Sequence, residues 1–143
     1  MTRAVIAVLP LLVLLAGCGH DEAPPLTISE ISVFAPLPGQ PAAVAYFSMH
    51  NPTPAAVTLR RVSSPDFAAV EMHTTYIDDG VAHMQALEFL TIAEQSDVEF
   101  SPGGHHLMLM RPVTNLEPGD EVTLEFYYDD ERSLSLRAPV KSR

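Results

Sequence analysis

Cysteine is nearly missing from this chain: Cys18 is the single copy, and tryptophan does not occur at all. One thiol cannot close an intramolecular disulfide. If Cys18 serves another purpose, a blue-copper electron carrier is excluded as well, because it takes a cysteine ligand beside two histidines. Positive charge is also scarce. Eight Lys and Arg stand against eighteen Asp and Glu, a formal charge of −10, so neither nucleic acid nor an anionic lipid surface is an expected partner. The chain has no G-x-S-x-G, no H-E-x-x-H and no glycine-rich phosphate loop. Its clustered acids, Asp78-Asp79 and Asp129-Asp130-Glu131, fall in apparent turns, where solvated carboxylates need no catalytic role. An enzyme is not expected. Beyond Leu15 no apolar run approaches the roughly 20 residues that cross a bilayer, and no stretch keeps a capped helical period.

What the chain does have is a series of short apolar or alternating runs between turn residues. Strands are predicted over Thr27 to Phe34, Ala42 to His50, Val57 to Val62, Phe67 to Ile77, Val81 to Phe89, Asp97 to Phe100, His106 to Met110, Glu121 to Tyr128 and Ser133 to Ala138. Pro-Leu-Pro-Gly-Gln-Pro at 36 to 41, Asn51-Pro52-Thr53-Pro54, Ser101-Pro102-Gly103-Gly104 and Glu117-Pro118-Gly119-Asp120 punctuate them. The prolines thus sit mainly in turns and spare the strand interiors. Val122, Leu124, Phe126 and Tyr128 alternate with Thr123, Glu125 and Tyr127, as a half-buried strand requires. The expected fold is all-β, an antiparallel sandwich or barrel.

The N-terminus reads as a targeting segment. Arg3 precedes the mostly apolar run Ala4 to Leu15, and Leu15-Ala16-Gly17-Cys18 has the form of a bacterial lipobox. Residues 1–17 are then a lipoprotein signal peptide, 18–25 a lipidated tether, and 26–143 one β domain. Cleavage removes Arg3, so the formal charge moves from −10 to −11. Cys18 becomes an acylated anchor on the periplasmic side of the cell envelope, and membrane contact is expected through that anchor only. Gly19, where Asp would retain a lipoprotein at the inner membrane, favours the outer membrane if the source is Gram-negative.

Four residues carry the chemistry: His73, Met84, His106 and Met108, spaced H-x10-M-x21-H-x-M. A thioether is soft, uncharged and has no proton to lose, so two imidazoles with two thioethers suit Cu(I); a zinc site would recruit thiolates or carboxylates. Asp78-Asp79-Gly80 is an acidic, glycine-ended turn of the kind that closes β-hairpins. A two-residue loop at Asp79-Gly80 pairs residue 73 with 86 and makes Met84 its diagonal neighbour. A loop centred one position earlier sets His73 and Met84 face to face, so either register brings them together. In an extended strand His106, Met108 and Met110 share one face while His105, Leu107 and Leu109 take the other.

The run VEMHTTYIDDGVAHM, followed after an intervening segment by SPGGHHLMLM, resembles the periplasmic copper chaperones of the PCu(A)C family, whose motif has this order and these spacings. The resemblance covers roughly residues 28 to 139 and takes in the early ISVFAPLPG, the strand AVAYFSMHN and the closing EPGDEVTLEFYY. It implies a cupredoxin-like Greek-key β-barrel that holds Cu(I) near its surface and helps supply cytochrome oxidase. The acceptor it suggests is subunit II of cytochrome c oxidase, reached directly or through a Sco-type protein. One Cu(I) per chain is expected, with His73, Met84, His106 and Met108 as ligands. A domain without thiols fits an exported copper protein, since free thiolates outside the cytoplasm oxidise.

The neighbouring soft residues are read differently. Met72 has the wrong parity and belongs to the core, and His83 and His105 point away from the ligand face, toward surface or supporting roles. Met110 lies on the ligand face but one step farther along, and no spacing ties Met49-His50 to the site. Two other functions remain open at this point: a copper-sequestering protein with no dedicated acceptor, and an interaction module whose His/Met cluster is coincidental.

Overall fold

The alternation of Val122, Leu124, Phe126 and Tyr128 becomes a strand whose apolar side is wholly buried in the computed structural model, which describes residues 25–142. Cys18 and the rest of the expected leader and tether up to residue 24 lie outside the described residues. Ten strands follow one another: β1 (Thr27–Phe34), β2 (Ala42–His50), β3 (Val57–Ser63), β4 (Phe67–Asp78), β5 (Val81–Leu87), β6 (Leu90–Ile92), β7 (Asp97–Phe100), β8 (His105–Pro112), β9 (Glu121–Tyr128) and β10 (Ser133–Lys141). They hydrogen-bond in the order β5-β4-β8-β7-β2-β1-β10-β9-β3-β6, with an additional β8–β2 pairing. The strands fall into two leaves: β5, β4, β8, β7, β2 and β1 make one, and β10, β9, β3 and β6 make the other. The expected all-β architecture is present, and its pairing is antiparallel except where β1 meets β10 and where β7 touches β8.

The core lies between the leaves. Phe47 of β2 stacks on Phe100 of β7 at 4.2 Å between centroids and meets the edge of Phe126 of β9 at 5.5 Å. Leu107 and Leu109 face inward from β8 and Leu59 and Leu124 from β3 and β9, all fully buried. Each such side chain contributes about 1.5–3 kcal/mol by leaving water. Met72 is buried with them, and so is Met49, which settles both methionines as core.

Two turns fix the strands that matter most. In Ser101-Pro102-Gly103-Gly104, the Gly104 N–H donates to the Ser101 carbonyl at 3.0 Å and Gly103 takes φ +82°, a type II turn with proline and glycine at its central positions. At the β4–β5 hairpin, Asp79 (φ 48°) and Gly80 (φ 78°) form a two-residue loop in which both central residues are left-handed, the choice that matches strand twist. The sequence pattern predicts β5 through to Phe89 and gives no sign of β6. The chain instead leaves the first leaf after Leu87 and pairs Leu90–Ile92 with β3. No Gly or Pro marks that crossover in Ala86-Leu87-Glu88-Phe89-Leu90, so its signal was absent. Asn51, a turn residue by sequence, does more than punctuate. It is fully buried, its Nδ2 lying 2.9–3.1 Å from the carbonyls of Ala55, Ile92 and Ala93 while its Oδ1 accepts from Thr53.

Candidate metal centre

The two-residue hairpin loop sets His73 opposite Ala86 and Thr75 opposite Met84, so Met84 is the diagonal neighbour of His73 on one face. On the other side of β4, β8 pairs in a register that puts His106 directly opposite His73 and Met108 opposite Glu71. Inward-facing Met72 and Leu107 lie opposite each other in the same ladder, which leaves His73, His106 and Met108 together on the outer face of the leaf. The imidazole rings are 5.7 Å apart between centroids and inclined by 41°. Three adjacent strands, β5, β4 and β8, therefore carry the four sequence-predicted residues to one surface region.

Three of the four, His106, Met108 and Met84, line a cleft of about 300 Å³ together with Thr75 and Val44, with Leu37 and Gln40 of the β1–β2 loop and Gly103 of the type II turn at its edges; His73 is not part of that lining and reaches the site through its contact with His106. His106 is only 6% exposed although it faces outward, whereas Met84, on the edge strand β5, is 57% exposed. Met108 is half-buried between Glu71 and Val44 on its neighbouring strands. The site thus has a fixed inner part and an open outer lip.

The imidazoles are held in defined tautomers. A carbonyl can only accept, so the 3.1 Å contact between His106 Nδ1 and the Gly104 oxygen places the proton on Nδ1 and leaves the Nε2 lone pair free. The same carbonyl accepts the Thr75 N–H at 3.1 Å, which ties the turn to β4. His73 Nε2 donates to the Glu71 carboxylate at 2.9 Å, and its Nδ1, the atom left with the lone pair, is buried with no hydrogen-bond partner. A buried nitrogen lone pair without a partner is costly unless something else occupies it. An imidazole whose second nitrogen donates to a carboxylate or carbonyl is the usual arrangement of a metal-binding histidine. Glu71 and Gly104 are supporting residues that sequence reasoning did not single out; the i−2 position of each before its histidine was the only available signal.

Among the described residues no three His, Cys, Asp or Glu side chains gather as a metal site. The region's other candidate donors are the soft thioethers of Met84 and Met108. Among the described residues the other histidines and Met110 stay apart. His83 is exposed and stacks on Tyr76 at 5.4 Å, and His50 pairs with Asp97 at 2.9 Å. His105 turns half-inward against the Phe100 ring instead of lying at the surface. Met110 is half-buried opposite Ala42 and Ala69.

The LpqE-like family matches residues 26–140, and the chain belongs to that family. Protein RP573 of Rickettsia prowazekii (strain Madrid E) is 34% identical over 86 residues, a match that takes in 59% of this chain. It takes in 48% of that relative, so the chain spans about half the length of the curated protein it matches. Among solved structures, the copper-bound PCuAC domain from PmoF2 superimposes with a TM-score of 0.70 at 21% identity, covering 84% of this chain and 95% of that one. The solution structure of CuI-DR1885 from Deinococcus radiodurans gives 0.70 at 26% identity, covering 90% of this chain and 86% of that one. The fold is that of the cupredoxin-like PCuAC domains, the group to which the two sequence runs pointed.

Proposed function

We propose that this protein is an extracytoplasmic metallochaperone that binds one Cu(I) per chain through His73, Met84, His106 and Met108. The observation that carries the reading is the cross-strand pair of imidazoles, each fixed by a hydrogen bond through one nitrogen and each left with a lone pair on the other. His73 would bind through Nδ1 and His106 through Nε2, with Met108 beside them and Met84 at the lip. Both the copper-bound PmoF2 domain and CuI-DR1885 share the fold, which supports copper as the cargo.

The uneven exposure of the ligands suggests how the metal leaves. Met84 is on an edge strand and open to solvent, so an acceptor's ligand can replace it while the two imidazoles and Met108 still hold the ion. Transfer then runs through shared coordination and needs no covalent catalysis. The acceptor in this reading is subunit II of cytochrome c oxidase, reached directly or through a Sco-type protein. Cys18 is acylated and holds the domain at the membrane on the periplasmic side, with residues 18–25 as the tether and 26–143 as the copper domain.

Anaerobic titration of the full chain with Cu(I) against a chromogenic chelator, with Zn(II) as competitor, tests the cargo. One tight Cu(I) is expected, and equal competition by zinc or two tight copper ions per chain would overturn the site. A deletion strain separates delivery from sequestration. Loss of oxidase assembly at low copper supports delivery; copper-sensitive growth with intact oxidase supports sequestration.

A further inference from the structure

Beside the candidate metal cleft, the same leaf holds a second and larger hollow of about 570 Å³. Glu30 and Ser32 of β1, Tyr46 and Ser48 of β2 and Glu99 of β7 line it, and the ring of Phe34 lies against Tyr46 at 5.7 Å between centroids. None of its lining residues is basic. Neither the Glu30 nor the Glu99 carboxylate, both of them exposed, has a hydrogen-bond or ion-pair partner among the described residues. The hollow is therefore an aromatic wall with two uncommitted carboxylates.

Two features connect it to the copper cleft. Tyr46 lines both, and the β7–β8 turn gives Ser101 and Pro102 to one and Gly103 to the other. The backbone at its rim is also specialised. Between Ser29 and Ser32 the register of β1 against β2 shifts, and Glu30 sits at φ 56°, a left-handed conformation uncommon outside glycine. Bulges of this kind re-aim a side chain, and here the side chain is one of the two free carboxylates.

We propose that this hollow is the docking pocket for the copper acceptor and takes a lysine or arginine side chain carried by that protein. The proposal rests on the chaperone reading and names the partner contact of the same site. The alkyl stem lies against Phe34 and Tyr46, the cation meets the ring face and the carboxylates of Glu30 and Glu99, and the acidic surplus of the chain draws a basic surface toward it. Because Tyr46 is common to both hollows, an acceptor anchored there holds its own ligands over the lip at Met84.

The test uses the mature full-length chain in detergent micelles and three blocked peptides, acetyl-Gly-Lys-Gly-amide, its arginine analogue and its norleucine analogue, followed by NMR shifts. The cationic peptides should shift Tyr46, Glu30 and Glu99 and bind about tenfold more tightly than the norleucine peptide, as one ring contact and two exposed ion pairs together suggest. Equal binding of norleucine, or shifts scattered over the acidic surface, would overturn the pocket. The double variant Glu30→Gln/Glu99→Gln should lose the preference for cations and keep Cu(I) binding; retention of the preference in that variant also overturns it. His106→Ala should do the reverse, losing copper while keeping peptide binding. Failure of the unmodified protein to bind Cu(I), with the cation preference intact, would remove the chaperone reading and leave the pocket standing.

Discussion

Replacing Met84 by alanine should separate copper affinity from fold stability. Met84 is 57% exposed and lies on the edge strand β5, so the substitution leaves no cavity in the core. Exposed substitutions of this kind change stability by no more than about 0.5 kcal/mol. For a folded unit of this size, with an unfolding entropy near 2.1 cal/mol/K per residue, that amounts to a melting shift of about 2 °C. Losing one of two thioethers should nevertheless weaken Cu(I) binding at least about tenfold, or roughly 1.4 kcal/mol. Met108 should behave differently. It is half-buried between β4 and β2, so Met108→Ala should cost a similar or larger factor in affinity and also roughly 1–2 kcal/mol of stability, a fraction of the 2–5 expected of a fully buried methionine. Chelator competition gives the affinities, and thermal unfolding of the copper-free variants by circular dichroism gives the stabilities. Unchanged copper affinity in Met84→Ala would remove Met84 from the ligand set, and a melting loss near 10 °C would mean that its side chain is packed and not open.

Three further outcomes are expected. Copper affinity should decline as pH falls through the range where free imidazole protonates, near 6.5, because protons compete for nitrogen but not for thioether sulfur; an affinity constant down to about pH 4 would take histidine out of the site. Burial, reinforced by Asp130, pushes the phenol of Tyr128 well above its ordinary value, so the folded state favours the neutral form. Its stabilising contribution is complete below about pH 10 and is lost as pH rises further; Tyr128→Phe, which deletes a buried hydroxyl without a partner, should flatten the alkaline fall in denaturation midpoint, and an unchanged slope would show that another group governs it. Cys18→Ala should abolish lipid labelling and membrane partitioning while Cu(I) binding persists, since multiple acyl chains add about 0.8 kcal/mol per buried methylene and the copper ligands lie far along the chain; labelling that survived the change would end the lipoprotein assignment.

Much of the fold was legible because its turns are written in glycine and proline. Pro102-Gly103 and Asp79-Gly80 became the type II and hairpin turns on which the positions of His106 and Met84 depend. Strand parity also separated Met72 from His73 correctly, since burial on one side of a strand forces alternation. The pairing of His73 directly with His106 was not legible. It depends on the register between β4 and β8, which are far apart in sequence and have no shared turn to set it. The parallel contact of β1 with β10 was hidden for the same reason, whereas β6 was hidden because no breaker residue marks where it begins. The roles of Glu71 and Gly104 emerge only when side-chain and carbonyl geometry are known, because many residues two positions before a histidine do nothing for it.

The most direct test of the central claim is X-ray absorption on the full chain loaded anaerobically with one equivalent of copper. A Cu(I) edge and a shell of two imidazole nitrogens and two thioether sulfurs are expected, with one sulfur lost in each of Met84→Ala and Met108→Ala. A shell of nitrogen and oxygen alone, or a sulfur signal unchanged in both variants, would contradict it.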